Sequence, residues 1–553
     1  MKKQSLIAAA CIAAALFAGT GNAHAAEKKI KKEKLQIVFL LGQSNMVGLA
    51  AVPTARYLTV PQYIPPKDVA TQKSRYFDWN FYWSGVRYYQ GPRKQDLIDL
   101  VQARRDSRGK WRRHIRGTWP TDKQPKGRVE MYAILDQKAE AEGIYKRIAD
   151  ILDSKENQFN VNQAYAEVID RDKPITEELK RVRDIYLKGT KTADFDAFDA
   201  AVTAATKAKK FSKGNSKGAN PDAEKHRALY AQLAQKHLNL PIAKRTRIFG
   251  HGAIAGSEGQ GVESTTFGPL SVGYGGGITT IGVEYGVGVT LERLVDAPIL
   301  LVKCSWGNTS IADAWRAPSL DGVETPTEKA GRVAWNKTQA AAAKKAGREF
   351  TPRSAPAKKG KLAWAWNQVM PQVDKVLANP GKYHPDYDPK VGYEVAGMVW
   401  FQGYSDKDNP AYGELLAQMI KDFRKKVKTP KLPVVCGSLG MAGFKNAAFS
   451  EAANKGMLQA SNMSDLRGTV DVVNTAPFYP LELDLCGQVR KTTKKDSPEY
   501  IEAMRVTKLY TSNKGFHYHG SAKCFLLVGD AMARSLANMI SGGKPLIHDE
   551  LKK

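Results

Sequence analysis

The chain has 553 residues, with 84 Lys and Arg against 55 Asp and Glu, for a net charge of +29. Its 42% apolar and 25% charged content excludes a chain disordered throughout, and five cysteines exclude a disulfide-built scaffold. The basic excess favours an anionic partner such as nucleic acid, a membrane surface or an acidic polymer.

The first 25 residues read as a secretory signal: Lys2 and Lys3, an apolar run from Leu6 to Phe17, then the small-x-small site Ala23-His24-Ala25. Cleavage near Ala25 and export, periplasmic or extracellular, are expected. No later segment has the unbroken apolar run of a spanning helix, so no transmembrane segment is predicted. Export makes nucleic acid a poor partner and an anionic polysaccharide a better one. Cys304, Cys436, Cys486 and Cys524 show no CxxC or Cys/His ligand spacing, so no metal is expected. They read as buried thiols, with one disulfide left open.

Leu35–Leu41 is a mostly apolar run of strand length, as in a parallel sheet buried on both faces. Similar runs follow at Pro298–Lys303, Val395–Phe401, Leu432–Cys436 and Val470–Val473. Helical patterns lie at Trp366–Leu377, Tyr412–Val427, Ala447–Ser461 and Ser521–Ile540. The alternation predicts βαβ units and a three-layer α/β/α sandwich. Residues 128–245 differ. They read as a helical insertion: Val129–Ser154, Gln163–Ile169, Ile175–Lys188, Phe195–Lys210 and Ala223–Leu238, split by a basic breaker at Ser212–Pro221. Residues 1–25, 35–127 with 246–541, and 128–245 are the expected units. The glycine-dense stretch from Gly250 to Gly288 holds no phosphate-loop pattern and reads as turns and close packing. Residues 343–363 read as an exposed loop.

Chemistry-bearing residues cluster at predicted strand ends, where open α/β sheets place their sites. The first strand runs into Gly42-Gln43-Ser44-Asn45-Met46. A serine at a sharp strand-to-helix turn exposes its hydroxyl beside free backbone N–H donors. By itself Ser44 reads better as an N-cap serine. The GxSxG match at Gly214–Gly218 has no strand before it and is set aside. Three more clusters follow: Ser305 to Ile311, Trp400 to Asp406, and Gly515 to Ser521, the last containing His517 and His519.

Together these residues carry a resemblance. Gly42-Gln43-Ser44-Asn45-Met46 resembles the first block of the sialate O-acetylesterase-like carbohydrate esterases, a branch of the SGNH hydrolases. Trp306-Gly307-Asn308-Thr309-Ser310-Ile311 is similar to that family's WGGTSI block, Trp400-Phe401-Gln402-Gly403 to its WxQGE block, and Ile281-Gly282-Val283-Glu284 to its IGPE stretch. The resemblance spans residues 35–125 and 250–540. It implies a flavodoxin-like three-layer α/β/α SGNH-hydrolase domain with a helical insertion. It implies a serine esterase without cofactor acting on O-acetylated carbohydrate. Ser44 would be the nucleophile and His517 the general base. The oxyanion donors would be the N–H groups of Ser44 and Gly307 and the side chain of Gln402. Gln43 and Asn45 are further candidates for substrate contact, Asn308 either contacts substrate or ties its loop, and His519 is either a substrate or supporting contact or an ordinary loop histidine.

Departures from the family pattern matter. Its D-x-x-H aspartate is replaced by Lys514, beside the neutral Asn513. Asp406 is then the candidate third member, with a backbone carbonyl as rival. Tyr404 stands where the family often has Glu, and Asn308 where it has a second Gly. The missing aspartate keeps a second reading open, a non-catalytic carbohydrate-binding protein on the same fold.

Overall fold

The computed structural model describes residues 29–60, 176–187, 194–208, 222–253, 264–345, 347–355, 363–441 and 452–546, with isolated positions elsewhere. The signal segment, the helices expected before residue 170 (isolated positions apart) and the basic breaker lie outside the described residues.

Seven strands form the main sheet: β1 (Leu35–Gly42), β2 (Thr246–Ala253), β3 (Ser264–Pro269), β4 (Ile299–Trp306), β5 (Tyr393–Phe401), β6 (Val434–Gly437) and β7 (Val470–Val473). Their order is β7-β6-β5-β1-β4-β2-β3, and all pairings are parallel except β2 with β3. With the β2–β3 hairpin set aside, the strands run 2-1-3-4-5, the flavodoxin-like order. The hairpin extends the edge beyond β4. It lies in the glycine-dense stretch that the sequence reading assigned to turns, because its Gly, Thr and Arg content hides a strand pattern.

β1 lies between β4 and β5 and is buried along its whole length. Its side chains alternate between two cores, as the two-residue period of a strand requires. Val38 and Leu40 enter the core that includes α5 (Val283–Leu294, after α1 to α4 below) and the last helix; Ile37, Phe39 and Leu41 enter the other. The helices preceding it are the four-residue α1 (Ser44–Val47), then α2 (Thr176–Leu187), α3 (Phe195–Lys207) and α4 (Ala223–Leu238). These last three match the expected helical stretch within a few residues. Leu179, Val182, Phe198 and Tyr230 join the first core, so they pack onto the helical layer covering the sheet.

After α6 (Pro326–Lys345), the opposite face is covered by α7 (Trp364–Ala378, running through Pro371), α8 (Tyr412–Lys426) and α9 (Ala452–Asn462). Then come α10 (Leu481–Thr492), α11 (Pro498–Tyr510) and the buried α12 (Ala522–Ile540). α5 and α12 meet backbone to backbone: a Cβ on Gly286 would lie 2.9 Å from Gly529 Cα. Cys304, Cys436, Cys486 and Cys524 are free, buried thiols. Among the described residues no helix is long and apolar enough to cross a membrane.

One buried ion pair joins the sheet to the turn after β1. Lys303 Nζ, from β4, donates to Glu284 Oε2 at 2.9 Å, to Val47 O at 2.9 Å and to Tyr274 O at 2.7 Å. Glu284 Oε1 accepts the Gly282 N–H at 2.8 Å. Burial pulls the Lys303 ammonium down and pushes the Glu284 carboxyl up, and each partner opposes the other's shift. Removing one member of such a pair strands the other, so Lys303→Met should cost about 3–5 kcal/mol. The double variant Lys303→Met/Glu284→Gln should lose less than the two singles summed. Urea unfolding of the three variants checks both, and a fully additive double contradicts the coupling.

Candidate active site

The sheet register brings the clusters together. Gly42 pairs with Ser305 on one side and with Phe401 on the other. Ser44, Gly307 and Gly403 therefore each stand two residues beyond one row across three strands. The approach at Gly42 is tight: a Cβ there would sit 2.3 Å from Phe401 O. The chain then turns into α1. The Met46 and Val47 N–H groups donate to Gln43 O, so α1 leaves the N–H groups of Ser44 and Asn45 without an intrahelical acceptor.

The residues flanking Ser44 hold the neighbouring loops. Gln43 Oε1 accepts from the N–H of Gly403 at 3.2 Å and of Ser405 at 3.5 Å. Asn45 Nδ2 donates to Phe516 O at 3.3 Å, while its buried Oδ1 has no partner among the described residues. Ser44 thus lies between the Gln402 loop and the His517 loop. No direct hydrogen bond joins Ser44 Oγ to His517 among the described residues.

The His517 loop is held against its own backbone preference. Tyr518 and His519 both have positive φ, 50° and 56°, each costing about 1–3 kcal/mol. Tyr518 offsets this by burying its ring, its hydroxyl accepting the Gly440 N–H at 2.9 Å and lying 2.7 Å from Thr475 Oγ1. His519 Nε2 lies 2.8 Å from Asp484 Oδ1 and 3.1 Å from Tyr479 Oη. That engagement makes His519 an anchor of its own loop.

His517 Nδ1 lies 2.9 Å from Asn513 Oδ1. The same oxygen accepts the Lys514 N–H at 2.8 Å, which identifies it as the carbonyl end of the amide. Nδ1 must then carry the ring proton, leaving the Nε2 lone pair free. The group that orients His517 is therefore a neutral amide four residues upstream. Asp406, the candidate drawn from the sequence, is placed elsewhere. Its Oδ2 accepts from Ile311 N–H at 2.8 Å and Gln402 Nε2 at 2.6 Å, and its Oδ1 from Asn409 Nδ2 at 3.2 Å. Burial raises the Asp406 pKa, and these donors oppose the shift. It braces the second cluster against the third. The sequence signal for Asn513 was a short polar residue opening a tight turn, four positions before the histidine rather than three.

Gln402 is likewise differently used than expected. Nε2 donates both hydrogens, to Thr309 O at 2.9 Å and to Asp406, and Oε1 accepts from Tyr412 Oη at 2.9 Å. Nothing remains on Nε2 for an oxyanion. Asn308 is exposed with φ 56°, a left-handed position that asparagine adopts more readily than most residues in place of glycine.

Burial, and secondarily the Lys514 charge, lowers the His517 pKa to about 4. The imidazole is neutral above that pH, as a base must be. A cation nearby disfavours the imidazolium, so Lys514→Met should raise this pKa. Activity carried by neutral His517 should fall through about pH 4 in the parent and at a higher pH in the variant. A pH–kcat/KM profile with an unmoved acid limb contradicts this. Gln402→Ala should lower stability by about 1–3 kcal/mol, since it takes the donor from the buried Thr309 carbonyl and one bond each from Asp406 and Tyr412. An unchanged urea midpoint contradicts the bracing role.

The fold and site define a class: a doubly wound α/β protein with a serine turn and a histidine loop meeting at the C-terminal edge of the sheet. The chain resembles the carbohydrate esterases: residues 359–476 match the model of the family "Carbohydrate esterase, sialic acid-specific acetylesterase". Among solved structures, a protein of Arabidopsis thaliana is similar at 12% identity over 52% of this chain and 79% of that one, TM-score 0.27. XAC1771, a carbohydrate acetylesterase from Xanthomonas citri, is similar at 13% identity over 42% of each chain, TM-score 0.23. NanS is similar at 14% identity over 42% of this chain and 68% of its own, TM-score 0.24. Compared with curated proteins, the chain matches none.

Proposed function

We propose that this chain is an exported serine esterase that removes O-acetyl groups from carbohydrate through an acetyl-enzyme on Ser44. The observation that carries the reading is the pinning of the Gln402 and His517 loops by Gln43 and Asn45, the two neighbours of Ser44. The family match supports the substrate class, and the Lys2–Ala25 segment supports export.

In the proposed reaction, His517 Nε2 takes the Ser44 Oγ proton as Oγ bonds to the acetyl carbonyl carbon. The Nδ1–H stays on Asn513 Oδ1, which holds the ring in that tautomer. The N–H groups of Ser44 and Gly307 receive the developing oxyanion. The ester C–O bond breaks and the sugar oxygen takes the proton from Nε2. Water, deprotonated by His517, then attacks the acetyl-enzyme, releasing acetate and regenerating Ser44. Gln402 and Asp406 serve this by fixing the loop that carries Gly307. The basic excess suits an anionic polysaccharide as the carrier of the acetyl groups.

The test is acetate release from neutral and acidic acetylated glycans, at low and high salt, with Ser44→Ala alongside. Release should fall by about 10⁴-fold or more in the variant, and acidic glycans should be favoured at low salt. A folded parent inactive on every glycan, or a fully active variant, contradicts the reading.

A further inference from the structure

Two aromatic side chains, Tyr404 and Phe516, stand on the two loops tied to the neighbours of Ser44, and the proposed chemistry uses neither. Tyr404 is 38% exposed, one of few large hydrophobic side chains so placed among the described residues. Its ring lies 5.6 Å from that of Phe516, tilted by 31°. Both are fixed from the nucleophile turn. Gln43 accepts from the N–H groups on either side of Tyr404, and Asn45 donates to the carbonyl of Phe516. The Phe516 ring in turn meets the His517 ring at 4.4 Å, edge to face. A semi-exposed ring on a loop held this firmly is a prepared contact surface.

We propose that the Tyr404–Phe516 pair is the sugar-binding wall of this site, taking the face of the pyranose ring that carries the acetyl group. The axial C–H bonds of a pyranose present a weakly positive face, which complements the negative face of an aromatic ring. The wall adjoins the base that protonates the departing sugar oxygen, so it touches the alcohol part of the ester. Tyr404 occupies the position where the resembling family often carries Glu, which gives this chain an apolar contact in place of a charge. The inference rests on the esterase reading for its substrate.

The test uses the full chain with Tyr404→Ala and Tyr404→Phe on β-D-glucose pentaacetate and acetylated xylan. Vinyl acetate, which carries the acetyl group without a ring, is the reference. Tyr404→Ala should lower the ratio of kcat/KM on the sugar acetates to that on vinyl acetate about tenfold, through KM. Tyr404→Phe should restore the ratio. An equal loss on all substrates would show that the ring pair only staples the loops and would overturn the proposal, as would an unchanged ratio. If the parent hydrolyses none of them, the esterase reading fails separately. Saturation-transfer NMR with xylohexaose then decides: signal lost in Tyr404→Ala and kept in Tyr404→Phe supports the wall, and equal or absent signals overturn it.

Discussion

The Lys303 ammonium anchors the turn that carries Ser44. It sits on the strand beside β1, yet it holds the last carbonyl of α1, the Tyr274 carbonyl and the Glu284 carboxylate at once. A four-residue helix has too few internal hydrogen bonds to hold its own direction. Lys303 supplies what α1 lacks, and Glu284 keeps the buried cation neutralised. The orientation of Ser44 therefore depends on an ion pair beneath it as well as on the strand that precedes it.

The remaining parts of the site converge on α1 by the same economy of contacts. Asp406 gathers Gln402, Ile311 and Asn409, so the second and third clusters are tied to each other. Asn45 draws in the His517 loop, whose two left-handed residues, Tyr518 and His519, are anchored at the Gly440 N–H and the Asp484 carboxylate. With Asn513 as the orienting group, no carboxylate among the described residues bonds to the imidazole. A neutral amide fixes the tautomer but does not stabilise an imidazolium, and Lys514 opposes one. His517 therefore stays neutral above about pH 4.

The sheet was legible in the sequence because parallel strands buried on both faces read as apolar runs. The runs at Leu35, Pro298, Val395, Leu432 and Val470 all fall within a few residues of observed strands. The β2–β3 hairpin and α5 were not legible, since glycines needed for close packing, such as Gly286, mask the periodicity. Ser44 and His517 were singled out by their positions in blocks. The part of Asp406 was not, because proximity in sequence says that it lies near Gln402 but not which way its carboxylate faces. Asn513 is similar: only the turn geometry after it reveals that its amide meets His517. Partners set by loop conformation are the ones that a linear reading misses.

Covalent labelling asks whether Ser44 is an activated nucleophile, as proposed. The full chain would be treated with diethyl 4-nitrophenyl phosphate at neutral pH, digested and mapped by mass spectrometry. One diethylphosphoryl group is expected, on Ser44, with labelling suppressed in His517→Ala. A folded protein that stays unlabelled, or that is labelled at another residue with Ser44 unmodified, would contradict it.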